Sequence, residues 1–108
     1  MSVEESQFAT AAEDFLEHVA DRVEELLADH LEVDLHGGIL TLTLDQGGQY
    51  VINQHLPYRQ IWLSSPISGA SHYDYADGRW LSTRDATARL AEVLAAELNG
   101  RFGTALQL

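Results

Sequence analysis

The sequence predicts an α+β fold: a two-layer α/β sandwich with N- and C-terminal helices packed on one face of a five- to six-stranded antiparallel sheet. Apolar residues recur every three or four positions near both ends of the 108-residue chain, which is typical of amphipathic helices. Short alternating runs separated by turn residues fill the middle, which favours antiparallel strands. Both helices must cover the same sheet face, because no other segment can bury it. We therefore expect a single domain over residues 1–108.

The negative charge is the strongest global property of the chain. The formal net charge is −11, with 17 acidic residues, six arginines and no lysine. Such a field repels nucleic acid and anionic membranes, and it attracts cations and basic protein surfaces. The absence of cysteine excludes disulfides, zinc–thiolate sites and redox thiols. No apolar run approaches the ~20 residues that span a bilayer.

Residues 4–29 predict the first helix, with one apolar and one acidic face. The predicted apolar face consists of Phe8, Ala12, Phe15, Leu16, Val19, Val23, Leu26 and Leu27. The opposite face carries Glu13, Asp14, Glu17, Asp21, Glu24 and Glu25, with Asp29 at its edge. Side chains three and four positions apart are neighbours on a helix, so these carboxylates form a row of like charge.

Residues 31–44 predict a hairpin that turns at Gly37-Gly38. In its second strand the three leucines alternate with threonines, which indicates one buried and one solvated face. In its first strand Glu32 and Asp34 point outward, directly after the acidic helix. The turn at residues 45–49 leads to the next pair of strands.

The segment from Tyr50 to Pro66 predicts two strands joined by a turn at Pro57. If Ile61 and Leu63 point into the core, Trp62 must point outward, because strand side chains alternate between faces. An outward tryptophan near Asn53, Arg59 and Gln60 indicates a protein-contact surface, since aromatic and arginine side chains are frequent anchors of interfaces.

The last third of the chain predicts two short strands and a second helix. Residues 72–75 and 79–81 flank the turn at 76–78, and we expect Trp80 to lie in the core. Ser82 or Thr83 is the predicted helix cap, and Asn99-Gly100 the predicted end. The apolar stripe is Leu90, Val93, Leu94 and Leu98, and the tail contributes Phe102, Leu106 and Leu108.

Residues 53–66, N-x-x-x-P-x-x-Q-I-W-L-S-S-P, followed by Ser68-Gly69 and Tyr73-Asp74, resemble the signature of the frataxin family, which includes bacterial CyaY. The hairpin GGILTL, the closing AEVLAAELN and the acidic first helix resemble the same family. The resemblance implies a frataxin-like fold and an iron-binding protein of iron–sulfur cluster assembly. Such a protein acts as an iron-dependent regulator or iron donor and docks on cysteine desulfurase and the scaffold protein.

The resemblance implies that iron, Fe2+ or Fe3+, binds at an acidic ridge. Exposed carboxylates are mobile and hydrated oxygen ligands, so we expect weak binding in which other divalent cations can substitute. The acidic ridge is Glu13, Asp14, Glu17, Asp21, Glu24, Glu25, Glu32 and Asp34, with His18 and Asp29 as further candidates. The partner-binding residues are Asn53, Arg59, Gln60 and Trp62. The sequence departs from the family pattern at His55, Tyr58, Ser71-His72 and Tyr75.

Two alternative functions stay open at this point. The first is ferroxidase or iron-storage activity, although the sequence has no Glu-x-x-His di-iron motif and we expect no catalytic residues. The second is an acidic interaction module that needs no metal. We expect a monomer, with iron-dependent oligomers as the alternative. The start MSVEESQF shows neither a secretory signal nor an arginine-rich transit peptide, which predicts a bacterial cytoplasmic protein.

Overall fold

The computed structural model describes residues 4–108, which form two helices and one antiparallel sheet. The elements in chain order are α1 (Glu5–Leu27), β1 (Leu31–His36), β2 (Ile39–Leu44), β3 (Gln49–His55), β4 (Gln60–Ser65), β5 (Gly69–Ala76), β6 (Arg79–Ser82) and α2 (Leu90–Phe102). The strands lie in the sheet in their sequence order, each antiparallel to the next. The predicted fold class is confirmed. No helix among residues 4–108 is long and apolar enough to cross a membrane.

Helix α1 buries the predicted stripe against the sheet, from Phe8 to Leu27. Leu26 is the exception, because its side chain is 47% exposed. Phe8 has the same angular position on the helix, but there the Trp80 ring covers it, with 5.8 Å between ring centroids. Leu26 lies in the last turn of α1. Two side chains at the same angular position on the helix therefore differ in burial, because periodicity does not determine which neighbouring residue covers each of them.

The hairpin β1–β2 turns at Gly37 and Gly38, whose φ angles of 57° and 79° are left-handed. Such values are favourable for glycine and costly for residues with a Cβ. The three leucines of β2 are buried and its threonines face the other way, as predicted. Register then places Glu32 opposite Thr43 and Asp34 opposite Thr41 on the side away from the helices. We call this side the outer face of the sheet.

Strands β3 and β4 present Tyr50, Ile52, Ile61 and Leu63 to the helices. Trp62 therefore lies on the outer face, as predicted, and it is half-buried there. The turn between these strands contains Pro57 and ends at Arg59, whose φ is 51°. The core between sheet and helices also contains Trp80, which confirms its predicted burial.

The predicted start and end of the second helix are wrong. Ser82 belongs to β6, and residues beyond it fold back so that the Ser82 N–H donates to the Ala88 carbonyl. The helix therefore begins at Leu90, after Arg89, with no side-chain cap. It continues through Asn99-Gly100 and ends at Phe102, where Gly103 adopts a left-handed φ of 66° and supplies the C-cap.

The C-terminal tail packs against α2, as predicted. The Asn99 amide donates to the Leu106 carbonyl at 2.9 Å and its oxygen accepts from the Leu106 N–H at 2.7 Å. Leu106 is buried as a result. The Asn99 side chain thus holds the tail against the helix.

Candidate functional site: an acidic ridge and an outer sheet face

All eight residues of the acidic ridge are exposed to solvent. Helix α1 orients its six members away from the core because the apolar stripe occupies the opposite side. Strand alternation exposes the two members on β1. Within residues 4–108, one ion pair involves the ridge: Arg22 Nη1 lies 3.0 Å from Glu25 Oε2. The other carboxylates of the ridge have no cationic partner in the described part of the chain.

The fold divides the ridge into two ends. Glu24, Glu32 and Asp34 border one shallow depression where the end of α1 approaches β1 and β2. Asp14 and His18 lie at the other end, on the wall of a cleft between α1 and α2 that Arg89 also lines. The predicted carboxylate row is therefore continuous along the helix but does not converge on one point.

Asp45 is an acid that the sequence reasoning missed. Together with Asp29 and Glu32 it borders a second depression, next to the one at Glu24. The Asp45 N–H donates to the His30 carbonyl, which fixes the β2–β3 turn beside the end of α1. Proximity of this turn to the helix end is a property of the tertiary fold, and no spacing in the sequence signals it.

Among residues 4–108, no three His, Asp or Glu side chains converge closely enough to hold a metal ion in a preformed site. The available ligands are exposed carboxylates, which are hard oxygen donors suited to Fe2+, Fe3+, Mg2+ or Ca2+. A cation held there keeps much of its water shell, because few protein oxygens reach it at once. The chemistry of these residues therefore fits a hydrated cation.

The predicted partner-binding residues meet on the outer face around the end of β3 and the start of β4. Asn53 pairs with Trp62 across these strands. The Trp62 indole N–H donates to Gln60 Oε1 at 2.9 Å, and the Gln60 amide donates to Asp74 Oδ1 at 2.9 Å. These two consecutive hydrogen bonds fix the Trp62 indole in place. Arg59 lies in the adjoining turn, half-buried, and the structure gives no hydrogen bond for its Nε.

Two histidines on either side of Trp62 were not predicted as site residues. His72 is the cross-strand partner of Trp62 on β5, and its ring stacks on the indole at 4.2 Å between centroids. His55 lies on β3 two residues after Asn53, and it stacks on the other indole face at 3.8 Å. Strand alternation could have placed both on the outer face, but only the register of three strands shows that they enclose one ring.

Comparison with known proteins shows which family has this architecture. The chain matches the frataxin-like domain over residues 1–104. It is 41% identical over 91 residues to the mitochondrial frataxin homologue of Saccharomyces cerevisiae, an alignment that covers 81% of this chain and 52% of that protein. It is 36% identical over 107 residues to the mitochondrial frataxin homologue of Schizosaccharomyces pombe, covering 94% of this chain and 67% of that protein.

Solved structures agree with these relatives. A trimeric frataxin from Saccharomyces cerevisiae, complexed with ferrous iron, superposes with a TM-score of 0.77 at 34% identity, covering 96% of this chain and 90% of that one. A frataxin from Psychromonas ingrahamii superposes with a TM-score of 0.85, covering 97% of both chains. Its 24% identity supports the fold alone.

The predicted bacterial cytoplasmic location is wrong. The matched curated relatives, including a frataxin-like protein of Leishmania donovani, are mitochondrial, and they point to a mitochondrial protein. The chain spans about half to two thirds of the length of these relatives. The residues MSVEESQF were therefore no guide to the location of the protein.

The fold agrees with this match along nearly the whole chain. Two helices cover one side of a six-stranded antiparallel sheet, and residues 53–66 alternate between the core and the outer face. The family model covers residues 1–104, well over half of the sequence. The chain belongs to the frataxin family, which is known for iron binding and iron–sulfur assembly.

Proposed function

We propose that this chain binds iron loosely at the acidic ridge and docks on the cysteine desulfurase and the scaffold protein of iron–sulfur cluster assembly. In this role it is an iron-dependent regulator or iron donor rather than an enzyme. The observation that carries the proposal is the ridge of eight exposed carboxylates. Within residues 4–108, only one of them, Glu25, forms an ion pair. The ferrous complex of the yeast relative supports iron as the cation.

The ridge end at β1 is the better candidate for the first iron ion. Glu24, Glu32 and Asp34 border one depression, so their three negative charges attract a hydrated cation to it. At the opposite end, Arg89 lines the same cleft as Asp14 and His18 and reduces the local negative potential. His18 is therefore a weaker candidate ligand than the carboxylates near β1.

The outer face supplies the docking surface in this proposal. Asn53, Gln60 and Trp62 lie together there, and hydrogen bonds hold the indole in one orientation. A fixed aromatic side chain loses little conformational entropy when a partner covers it, which favours binding. Glu32 and Asp34 share the outer face with Trp62, but β1 lies three strands from β4, so a partner can contact Trp62 while iron stays at the ridge.

An anaerobic Fe2+ titration followed by NMR tests the metal part. We expect paramagnetic broadening of amide signals between Glu13 and Asp34, starting near Glu32. The double variant Glu32→Gln, Asp34→Asn should weaken this broadening severalfold, since each lost carboxylate removes an oxygen ligand. The pair Asp77→Asn with Glu92→Gln changes net charge equally and should leave it intact. Signals that stay unbroadened would favour an acidic interaction module without metal.

A second experiment separates docking from iron binding. Trp62→Ala should weaken binding to the desulfurase–scaffold complex by ~2 kcal/mol, the size of an interface hot spot, while Fe2+ broadening persists. Ile67→Ala removes a 57% exposed side chain from the β4–β5 turn and is the matched control. Loss of both activities in Trp62→Ala would mean that the two surfaces are not independent.

Ferroxidase activity is the second candidate function. Two observations motivate it: the exposed carboxylates of this chain and the ferrous complex of the yeast relative. Oxygen consumption by Fe2+ in the presence of the protein decides it. Consumption well above that of free iron, lost in the Glu32→Gln, Asp34→Asn variant, would support an enzyme instead of a carrier.

A further inference from the structure

Trp62 is the middle ring of a stack formed by His55, Trp62 and His72, which we call the ring stack. The His55 and Trp62 planes differ by 5°, and those of Trp62 and His72 by 12°. The centroid separations of 3.8 and 4.2 Å are contact distances. Both faces of the indole are thus covered by imidazole. A partner that approaches the outer face meets the edges of three rings, so its contact includes the two histidines.

One hydrogen bond joins the His55 ring of the stack to the β3–β4 turn. The Tyr58 backbone N–H donates to His55 Nδ1 at 3.4 Å, which assigns the proton of neutral His55 to Nε2. A second proton on Nδ1 would replace this acceptor with a donor and break the bond to the β3–β4 turn. Protonation of His55 therefore changes the stack and the turn beside it.

The charged and titratable groups around the stack are few. Tyr58 and Arg59 lie in the β3–β4 turn, Asp74 lies on β5, and His36 and Arg79 lie on β1 and β6 towards the sheet edges. The Asp74 carboxylate already accepts a hydrogen bond from Gln60. Imidazole is the side chain that ordinarily changes charge between pH 5 and 8.

We propose that the ring stack makes docking on the outer face proton-dependent. His55 and His72 position Trp62, and the partner binds when both imidazoles are neutral and is released as they become protonated. The inference rests on the proposed function, because it names the regulation of the same surface.

Two physical effects give the direction. A partner that covers the outer face removes the imidazoles from water, and burying an imidazolium costs far more than burying a neutral ring. Protonation of His55 also breaks its hydrogen bond to the β3–β4 turn beside the docking surface. In the free protein, by contrast, an imidazolium over the indole gains a cation–π interaction, so protonation leaves the stack folded. The loss therefore falls on the docking step.

The first test uses the free protein. The indole N–H signal of Trp62 should move in 1H–15N spectra between pH 8 and 5, whereas the signal of Trp80, which is buried and packs against Phe8, Phe15 and Tyr75, should stay in place. The double variant His55→Gln, His72→Gln should abolish the pH-dependent movement of the Trp62 signal. A Trp62 signal that does not respond, or one that responds equally in this variant, overturns the proposal.

The second test measures affinity for the desulfurase–scaffold complex at pH 8 and pH 6. The wild-type protein should bind roughly tenfold more weakly at pH 6, which corresponds to about 1.4 kcal/mol. The double variant His55→Phe, His72→Phe keeps stacked rings that cannot be protonated. This variant should bind tightly at both pH values. The His55→Gln, His72→Gln variant should bind weakly at both pH values, because it leaves the indole unsupported.

The outcomes separate this inference from the proposed function. Equal affinity of the wild type at both pH values, or a pH dependence that persists in the phenylalanine variant, refutes proton control alone. Tighter wild-type binding at pH 6 refutes it as well. If the wild-type protein does not bind at pH 8, docking itself is refuted and proton-controlled docking with it.

Discussion

Glu97 of α2 joins hydroxyl groups from two regions of the sheet. One of its oxygens accepts from Tyr50 at 3.0 Å and from Ser65 at 2.5 Å, and the other accepts from Ser68 at 2.6 Å. Burial raises the pKa of Tyr50 to about 12, and the Glu97 carboxylate adds to the effect. Ser65 in turn accepts backbone N–H groups of the β4–β5 turn. This network fixes α2 to the sheet and to the turn.

The Tyr50 hydroxyl gives a prediction at the scale of one residue. Its pKa is higher in the folded protein than the ordinary value of ~10, so the neutral phenol stabilises the fold below pH 10. This contribution should disappear as pH rises from 10 to 12. In urea unfolding, Tyr50→Phe should cost about 1 kcal/mol at pH 7 and lose less stability than the wild type between pH 10 and 12.

The control for this prediction is Tyr58→Phe. Tyr58 is 66% exposed, so removing its hydroxyl should leave the wild-type loss of stability at high pH unchanged. An identical alkaline loss in Tyr50→Phe would show that another group is responsible.

At the scale of elements, the β1–β2 hairpin depends on two glycines for different reasons. Both have positive φ, but a Cβ on Gly37 would lie in open space. A Cβ on Gly38 would lie 2.3 Å from Gln54 Nε2 on β3, so that side chain would have to move. The β1–β2 turn thus packs closely against Gln54 of β3 at Gly38.

Alanine at each position separates these two effects. Gly37→Ala should cost about 1–2 kcal/mol, the penalty of a Cβ in the left-handed region. Gly38→Ala should cost more, since displacement of Gln54 adds to the same penalty. Urea midpoints at constant m-value measure both. Equal losses would mean that Gln54 moves without cost.

The position of α2 shows how tertiary contacts override a local signal. Ser82 and Thr83 look like helix caps, but Ser82 pairs with Tyr73 across the sheet, and the Thr83 N–H donates to the His72 carbonyl. Backbone groups engaged in the sheet cannot start a helix. The following loop is fixed instead by Asp85, whose carboxylate accepts from Thr87, and this hydrogen bond lowers the pKa of Asp85.

At the scale of the whole molecule, the net charge of −11 acts against folding. Two like charges ~5.5 Å apart in water repel by roughly 0.7 kcal/mol. Salt should therefore raise the melting temperature, by about 5 °C for each kcal/mol that screening recovers. Ca2+ or Mg2+ should raise it further at equal ionic strength, because a bound cation stabilises the folded state.

The variant with Glu32→Gln and Asp34→Asn should show a smaller response to divalent cations than the wild type. The Asp77→Asn, Glu92→Gln variant has the same net charge and should respond fully. A melting temperature that stays constant across the salt and cation series would contradict the idea that the ridge is repulsive.

The sequence by itself determined the two helices, the alternation of the strands, the exposure of the acidic ridge and the outward orientation of Trp62. These properties follow from local periodicity, since a period of 3.6 or 2 assigns each side chain to a face. Turn chemistry added the hairpin at Gly37-Gly38 in the same way. The resemblance of residues 53–66 to one family then pointed to iron.

The tertiary structure alone decided which residues from different elements meet. It placed Asp45 beside Glu32, divided the ridge into two ends, moved the start of α2 to Leu90 and enclosed Trp62 between His55 and His72. Periodicity assigns a face but no neighbour. Neighbours depend on strand register and on how helices cross the sheet, and both are set by packing of the whole core rather than by any local segment.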